Sequence, residues 1–177
     1  YQTPRVGKAA VISYGVKCPI TYIFGCHLID LVLSVKGEPQ SLNAFNAVSG
    51  DDGINFTDTS VLVMSYPDGI ATVKVSSVEV NGWGMREFTI CGEKGTISVS
   101  PIEKPLIVKE TYTSDHEPWG DRYRIVNLPE EDRYDPMMNA FIGGIRGETP
   151  DDTDYDREYM LQKYTLAACG YDVSGNE

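Results

Sequence analysis

Apolar and polar positions alternate through the middle of the chain and recur at helical spacing on either side of it. Residues 6–16 (VGKAAVISYGV) read as a first strand. After Pro19, the β-branched and aromatic run Ile20-Thr21-Tyr22-Ile23-Phe24 reads as extended up to Gly25. From His27 the period changes: Leu28, Leu31, Val32 and Val35 fall at i, i+3, i+4 and i+7, one face of a helix. Gly37-Glu38-Pro39 stops it, with Gly just past the last turn and Pro beyond. Residues 61–66 and 70–76 flank Tyr66-Pro67-Asp68-Gly69, where Pro presets φ and Gly closes the turn, so a hairpin is predicted. A second hairpin joins residues 85–91 to residues 96–100 through Gly92-Glu93-Lys94-Gly95, with Phe88, Ile90, Ile97 and Val99 alternating with polar residues. Gly82-Trp83-Gly84 ahead of it reads as a turn. Residues 106–112 and 122–128 add two strands, with a loop at 114–120 between them. Asp135-Pro136, a cap followed by Pro at the first helical position, opens a helix striped by Met138, Phe141, Ile142 and Ile145 and ended by Gly147. A last helix over 154–168 places Leu161, Tyr164 and Ala168 on one side.

These elements sum to an α+β fold: a largely antiparallel open β-sheet with helices on one face. The clean alternation means that one side is covered. The other side carries Thr72, Lys74, Ser76 and Ser98, and is either wet or paired with a second polar and aromatic surface. No repeat, linker or low-complexity tract divides residues 1–177, which fits a single domain.

Composition narrows the function. Hydrophobic residues make up 41 % and charged residues 23 %, and 11 Tyr with 5 Phe supply ample buriable surface, so disorder is excluded. With 15 Lys+Arg against 26 Asp+Glu the net charge is −11, which repels phosphate and argues against nucleic acid and membrane surfaces alike. No apolar run approaches the roughly 20 residues that span a bilayer, and residues 1–5 show no signal-peptide pattern. Cys18, Cys26, Cys91 and Cys169 form no CxxC pair, so buried reduced thiols, a reducing and hence cytoplasmic setting, and no zinc are expected. Asp152-Thr153-Asp154-Tyr155-Asp156 copies the first half of a calcium loop, but Arg157 stands where Gly is needed and Lys163 where Glu is needed. No metal is expected there, and Thr153 reads as a helix cap. The chain contains no strand–GxGxxG–helix unit, no GxxxxGK[ST] and no GxSxG.

The stretch Gly25-Cys26-His27-Leu28-Ile29-Asp30, continuing to Pro39, resembles the Gfo/Idh/MocA family (glucose–fructose oxidoreductase, inositol dehydrogenase and the rhizopine-catabolism protein). The resemblance continues through Tyr66-Pro67-Asp68-Gly69, Cys91-Gly92-Glu93-Lys94-Gly95-Thr96-Ile97 and the closing FIGGIRGE of residues 141–148, and so covers about residues 7–170. It implies the C-terminal α+β domain of an NAD(P)-dependent oxidoreductase acting on a sugar or polyol. A partner N-terminal Rossmann domain would hold NAD or NADP, this chain alone would be inactive, and the open sheet would make a homo-oligomer such as a dimer. Alternatives are an NAD-dependent glycoside hydrolase of the same family, or a non-catalytic carbohydrate-binding or scaffold domain.

By the same resemblance His27 is the proton-transfer group, and imidazole suits that task because it titrates near neutrality. Without the resemblance, His27 reads as a helix-start histidine bonded to backbone. Many relatives carry Asp four residues before this His, where Ile23 stands here. Tyr22 is the nearest candidate in its stead, its other reading being a strand aromatic in the core. Asp30, three residues past His27, either orients the imidazole or belongs to the first helical turn. Trp83 and Arg86 offer an indole face and a guanidinium fork for a sugar ring, or else packing.

Overall fold

The computed structural model describes residues 19–49, 55–102, 105–113, 122–129, 134–148 and 154–175. The expected strand at 6–16, the loop at 114–120, Cys18 and the Thr153 cap lie outside these residues. Contacts divide the chain into two compact units, Tyr1–Arg86 with Tyr155–Glu177, and Glu87–Asp154.

Among the described residues the first unit opens on a helix. The run after Pro19 is not extended: Thr21–Gly25 forms a π turn that leads without a break into α1, Cys26–Lys36. Pro19 provides the start, its carbonyl accepting from the amides of Tyr22 and Ile23 at 2.9 and 3.4 Å. Gly37, at φ 69°, ends α1 in a left-handed conformation that suits glycine. Three strands follow, β1 (Ser41–Ala47), β2 (Thr59–Tyr66) and β3 (Gly69–Ser76), in an antiparallel sheet of order β1-β2-β3. The β2–β3 hairpin turns at Pro67-Asp68 as predicted, with Tyr66 opposite Gly69. Strand β1 was not predicted, because the alternation of SLNAFNA slips phase at Ala44-Phe45; its pairing with β2 holds it.

Helix α3, Tyr155–Ala168, completes this unit. Ile29, Val32 and Leu33 of α1 join Leu62 and Met64 of β2, Val73 and Val75 of β3, and Ala168 of α3 in one apolar core. Alternation along β2 buries Ser60, Leu62, Met64 and Tyr66 on one face. The buried side of α1 differs from the expected Leu28/Leu31/Val32/Val35 stripe, and Val35 is exposed. The reason is visible in LIDLVLSV, which carries two overlapping helical ladders; packing on the sheet selects Ile29/Val32/Leu33. Among the described residues no helix is long and apolar enough to cross a membrane.

The second unit holds β4 (Phe88–Gly92), β5 (Gly95–Val99), β6 (Val108–Tyr112) and β7 (Arg124–Val126) in an antiparallel sheet ordered β4-β5-β6-β7. Register aligns Phe88, Val99, Val108 and Val126 in one apolar row across all four strands. The expected strand at 85–91 begins only at Phe88, because Gly82–Met85 forms a 3₁₀ turn. Helix α2, Asp135–Ile145, begins one residue before the expected position, with Tyr134 rather than Asp135 at the cap and Pro136 in the first turn. Its apolar stripe is not core: Phe141 is 63 % and Ile145 72 % exposed. The fold is thus α+β with antiparallel strands throughout the described residues, as the alternation predicted.

Candidate active site

The π turn decides what surrounds His27. The Cys26 amide donates to the Thr21 carbonyl, an i→i+5 closure that stacks Cys26 over Thr21. Their successors, His27 and Tyr22, fall on the neighbouring side, and both are exposed. Ile23 instead is half-buried against the apolar core. Ile29, two residues past His27, is fully buried, and two residues on an α-helix subtend about 200°. The imidazole therefore points away from the sheet. Tyr22 is not the strand aromatic of the sequence reading, but a π-turn residue 37 % exposed.

Buried hydrogen bonds hold this turn. The Thr21 hydroxyl donates to Ser60 Oγ at 2.6 Å, Ser60 Oγ donates to Asn46 Oδ1 at 2.6 Å, and Asn46 Nδ2 donates to the Ala168 carbonyl at 2.9 Å. One chain of bonds thus runs from the π turn through β2 and β1 to the end of α3. Gly25 permits the close approach. A Cβ there would sit 3.1 Å from Thr21 Cγ2 and 3.2 Å from Val75 Cγ2. Gly25→Ala is expected to cost about 1–3 kcal/mol through this overpacking, measured by chemical denaturation. An unchanged midpoint would show that the neighbours yield freely.

Asp30 and Arg157 meet beside His27. Asp30 lies one helical turn after His27, on the same side of α1. Arg157 Nε and Nη2 both donate to Asp30 Oδ1, at 3.1 and 2.6 Å. Arg157 entered the sequence reading only as the residue that spoils a calcium loop; nothing in its local pattern links it to Asp30, 127 residues away. Cys26 adjoins His27 but is no activated nucleophile: burial pushes its thiol up, and Sγ lies 3.8 Å from the Ile23 carbonyl.

The far end of α1 is pinned as well. Tyr66 donates to the Gly37 carbonyl at 3.1 Å, and Lys36 pairs with Asp68 at 2.5 Å. Glu38 accepts from Lys163 at 3.1 Å and from the Tyr164 hydroxyl at 3.0 Å, and these bonds hold its carboxyl below the usual range. Burial, then the Glu38 carboxylate, pushes the Tyr164 phenol up to about 12. With both ends fixed, α1 presents His27 from a rigid element.

Trp83 lies within the 3₁₀ turn Gly82–Met85, and Arg86 follows it directly. The placement of the Trp83 side chain lies outside the description, and Arg86 is only 5 % exposed. The structure does not bring Arg86 onto the solvent-facing side that His27 occupies. The expected buried thiols hold in part: Cys26 and Cys169 are half-buried and in no disulfide, but Cys91 is exposed, because β4 turns it to the outer face near the hairpin tip. Among the described residues no group of three or more His, Cys, Asp or Glu side chains is placed to hold a metal ion.

Comparison with known proteins gives this geometry a context. Residues 19–98 match the family model of the GFO/IDH/MocA C-terminal domain. No curated protein matches the chain. Among solved structures it is similar to UDP-N-acetylglucosamine 3-dehydrogenase GnnA from Acidithiobacillus ferrooxidans, at 18 % identity and a TM-score of 0.68, over 84 % of this chain and 46 % of that one. It is also similar to a Desulfitobacterium hafniense protein assigned as an NADPH-dependent oxidoreductase, at 12 % identity and a TM-score of 0.71, over 85 % of this chain and 45 % of that one. A third is the WlbA dehydrogenase from Bordetella pertussis, solved with NADH and UDP-GlcNAcA, at 19 % identity and a TM-score of 0.56, over 82 % and 39 %. The chain spans less than half the length of these three structures, and at such identities the likeness is one of fold. Residues 19–98, the stretch with the π turn, His27 and the first sheet, thus match the model of the GFO/IDH/MocA C-terminal domain, and the chain shares the fold of these dehydrogenase and oxidoreductase structures.

Proposed function

We propose that the chain is the substrate-facing domain of an NAD(P)-dependent oxidoreductase that acts on a hydroxyl of a sugar or polyol. The observation that carries this reading is the exposed His27 imidazole, set on a helix locked at both ends, with Tyr22 and the Asp30–Arg157 pair on its side. Such a group can take the hydroxyl proton as the carbinol carbon gives up its hydride and the C–O bond becomes C=O. The dinucleotide supplies the hydride acceptor. This chain has no GxGxxG unit to cradle it, so a separate N-terminal domain is its holder in this reading. That the similar structures are about twice as long fits such a division. In this reading the Tyr22 phenol hydrogen-bonds the reacting hydroxyl or its neighbour, where Ile23 offers no polar atom. The open sheet of the second unit serves the oligomer.

The test has two arms. The intact enzyme, given NAD⁺ or NADP⁺ and a panel of sugars and polyols, is expected to show cofactor reduction at 340 nm and a carbonyl product. The 177-residue chain, titrated with NADH or NADPH in a calorimeter, is expected to show no binding. Stoichiometric, tight binding to this chain alone would overturn the reading. Cleaved glycosides without net cofactor reduction would turn it toward glycoside hydrolysis. Sugar binding without any turnover would leave a carbohydrate-binding scaffold.

A further inference from the structure

We propose that Ser60 is a positioning residue for the His27 site, acting through Thr21 on the π turn. The inference rests on the reading of His27 as the proton acceptor. Along the inward face of β2 the buried residues are Ser60, Leu62, Met64 and Tyr66, so a small hydroxyl side chain stands where packing alone asks for a larger apolar one. Ser60 and Thr21 are both fully buried, and a buried hydroxyl is destabilising unless it is bonded. They are bonded to each other: Thr21 Oγ1 donates to Ser60 Oγ at 2.6 Å. The direction of that bond is fixed from the far end of its chain. A carbonyl can only accept, so Ala168 takes an N–H of Asn46 at 2.9 Å and leaves Asn46 Oδ1 for Ser60, its cross-strand partner. Ser60 gives its one proton to that oxygen at 2.6 Å and keeps a lone pair for the Thr21 hydroxyl.

Thr21 passes this anchorage on through bonds the structure shows. Its carbonyl accepts from the Cys26 amide, the closure that makes the turn π rather than α. Its methyl lies against Gly25, where an added Cβ would sit 3.1 Å from Thr21 Cγ2. Single peptide bonds join Thr21 to Tyr22 and Cys26 to His27. The residue that Ser60 grips therefore sets how phenol and imidazole stand relative to one another. A turn released to rewind as α-helix would swing one against the other by about 100°. Ser60 itself lies in the core, and its effect on the chemistry runs wholly through this turn.

The test reads the turn in the 177-residue chain and the chemistry in the intact enzyme. Ser60→Ala is expected to speed hydrogen exchange of the Cys26 amide roughly three- to tenfold in the ¹⁵N-labelled chain. The Gly37 amide, bonded to the Leu33 carbonyl at the other end of α1, is the internal reference and is expected to stay unchanged. In the intact enzyme the same variant is expected to lower kcat about 10- to 100-fold, with KM altered less than about twofold. Ser60→Thr keeps the hydroxyl and is expected to restore both readouts. Thr21→Val removes the same bond from its other side, so the double variant is expected to lose no more turnover than either single one. Should Ser60→Ala fail to fold, Thr21→Val and its hydroxyl-keeping counterpart Thr21→Ser carry the test. Leu62→Ala, two residues along the same face, is expected to lower the melting temperature further yet leave the Cys26 amide and kcat unchanged. A folded Ser60→Ala variant with an unchanged Cys26 amide, or with unchanged kcat, would overturn the proposal. So would an equal loss of turnover in Leu62→Ala, which marks general destabilisation. A faster Cys26 amide, in a protein whose intact wild-type form turns over no substrate, would uphold the positioning while refuting the oxidoreductase reading.

Discussion

Replacing His27 by Ala in the intact enzyme is expected to lower kcat by about 10²- to 10⁴-fold, the span typical of a lost general base. Stability should hardly move, because the imidazole is exposed and contributes nothing to the core. Surface changes of this kind stay within about 0.5 kcal/mol. Steady-state turnover and a thermal melt on the same preparation separate the two effects. Equal loss of turnover and melting temperature would instead mark His27 as a structural residue. Turnover that survives intact would move the proton transfer to another group, Tyr22 being next in line on that side of the π turn. A Tyr22→Phe variant then tells a hydrogen bond from a packing contact, since only the hydroxyl is lost.

The second large effect is one of packing. Leu62 is fully buried at the centre of the first sheet, opposite Ala44 on β1 and Val73 on β3. Leu62→Ala removes three carbons from beneath α1 and leaves a void that a three-stranded sheet pinned on both sides cannot close. A loss of about 3 kcal/mol is expected, within the usual range of about 2–5 for such truncations. For a chain of this size that corresponds to a fall of roughly 6–12 °C in Tm. Leu62→Met, nearly equal in volume, is expected to cost less than about 1.5 kcal/mol. Both are measured by urea titration monitored through backbone circular dichroism, and equal midpoints for the two variants would refute the cavity argument.

Hairpins and helix ends were legible because their signals are local. Pro67-Gly69, Gly92-Gly95, Gly37 and Asp135-Pro136 each act through backbone preference within a few residues, and each turn or terminus lies where, or within a residue of where, these signals put it. Strand β1 was illegible for the opposite reason. The alternation of SLNAFNA slips phase at Ala44-Phe45, and pairing with β2 and a hydrogen bond from Asn46 to the end of α3 hold it as a strand. The face of α1 was ambiguous because apolar residues line both sides of it. In the site, His27 stood out through its resemblance to a family segment, but its surroundings did not. The run Ile20–Phe24 has β-branched, aromatic chemistry, so propensity favoured an extended form. Burial of Ile20 and Thr21 beneath the sheet overrides that preference. Arg157 was out of reach altogether, since a pair made across most of the chain leaves no trace in local spacing.

The π turn carries a consequence for chain length as well as chemistry. An α-helix advances about 100° per residue, so if Thr21–Gly25 wound as a regular α-helix at unchanged length, everything before it would be swung by that angle. Tyr22 would leave the flank of His27, the residue at the place of Ile23 would swing in beneath it, and Thr21 would lose Ser60. No side chain need change for this to happen. What stands next to the histidine is therefore governed by how one turn is wound, and a chain one residue shorter there, lacking residue 23 or 24, would need no π turn to keep the phenol in place.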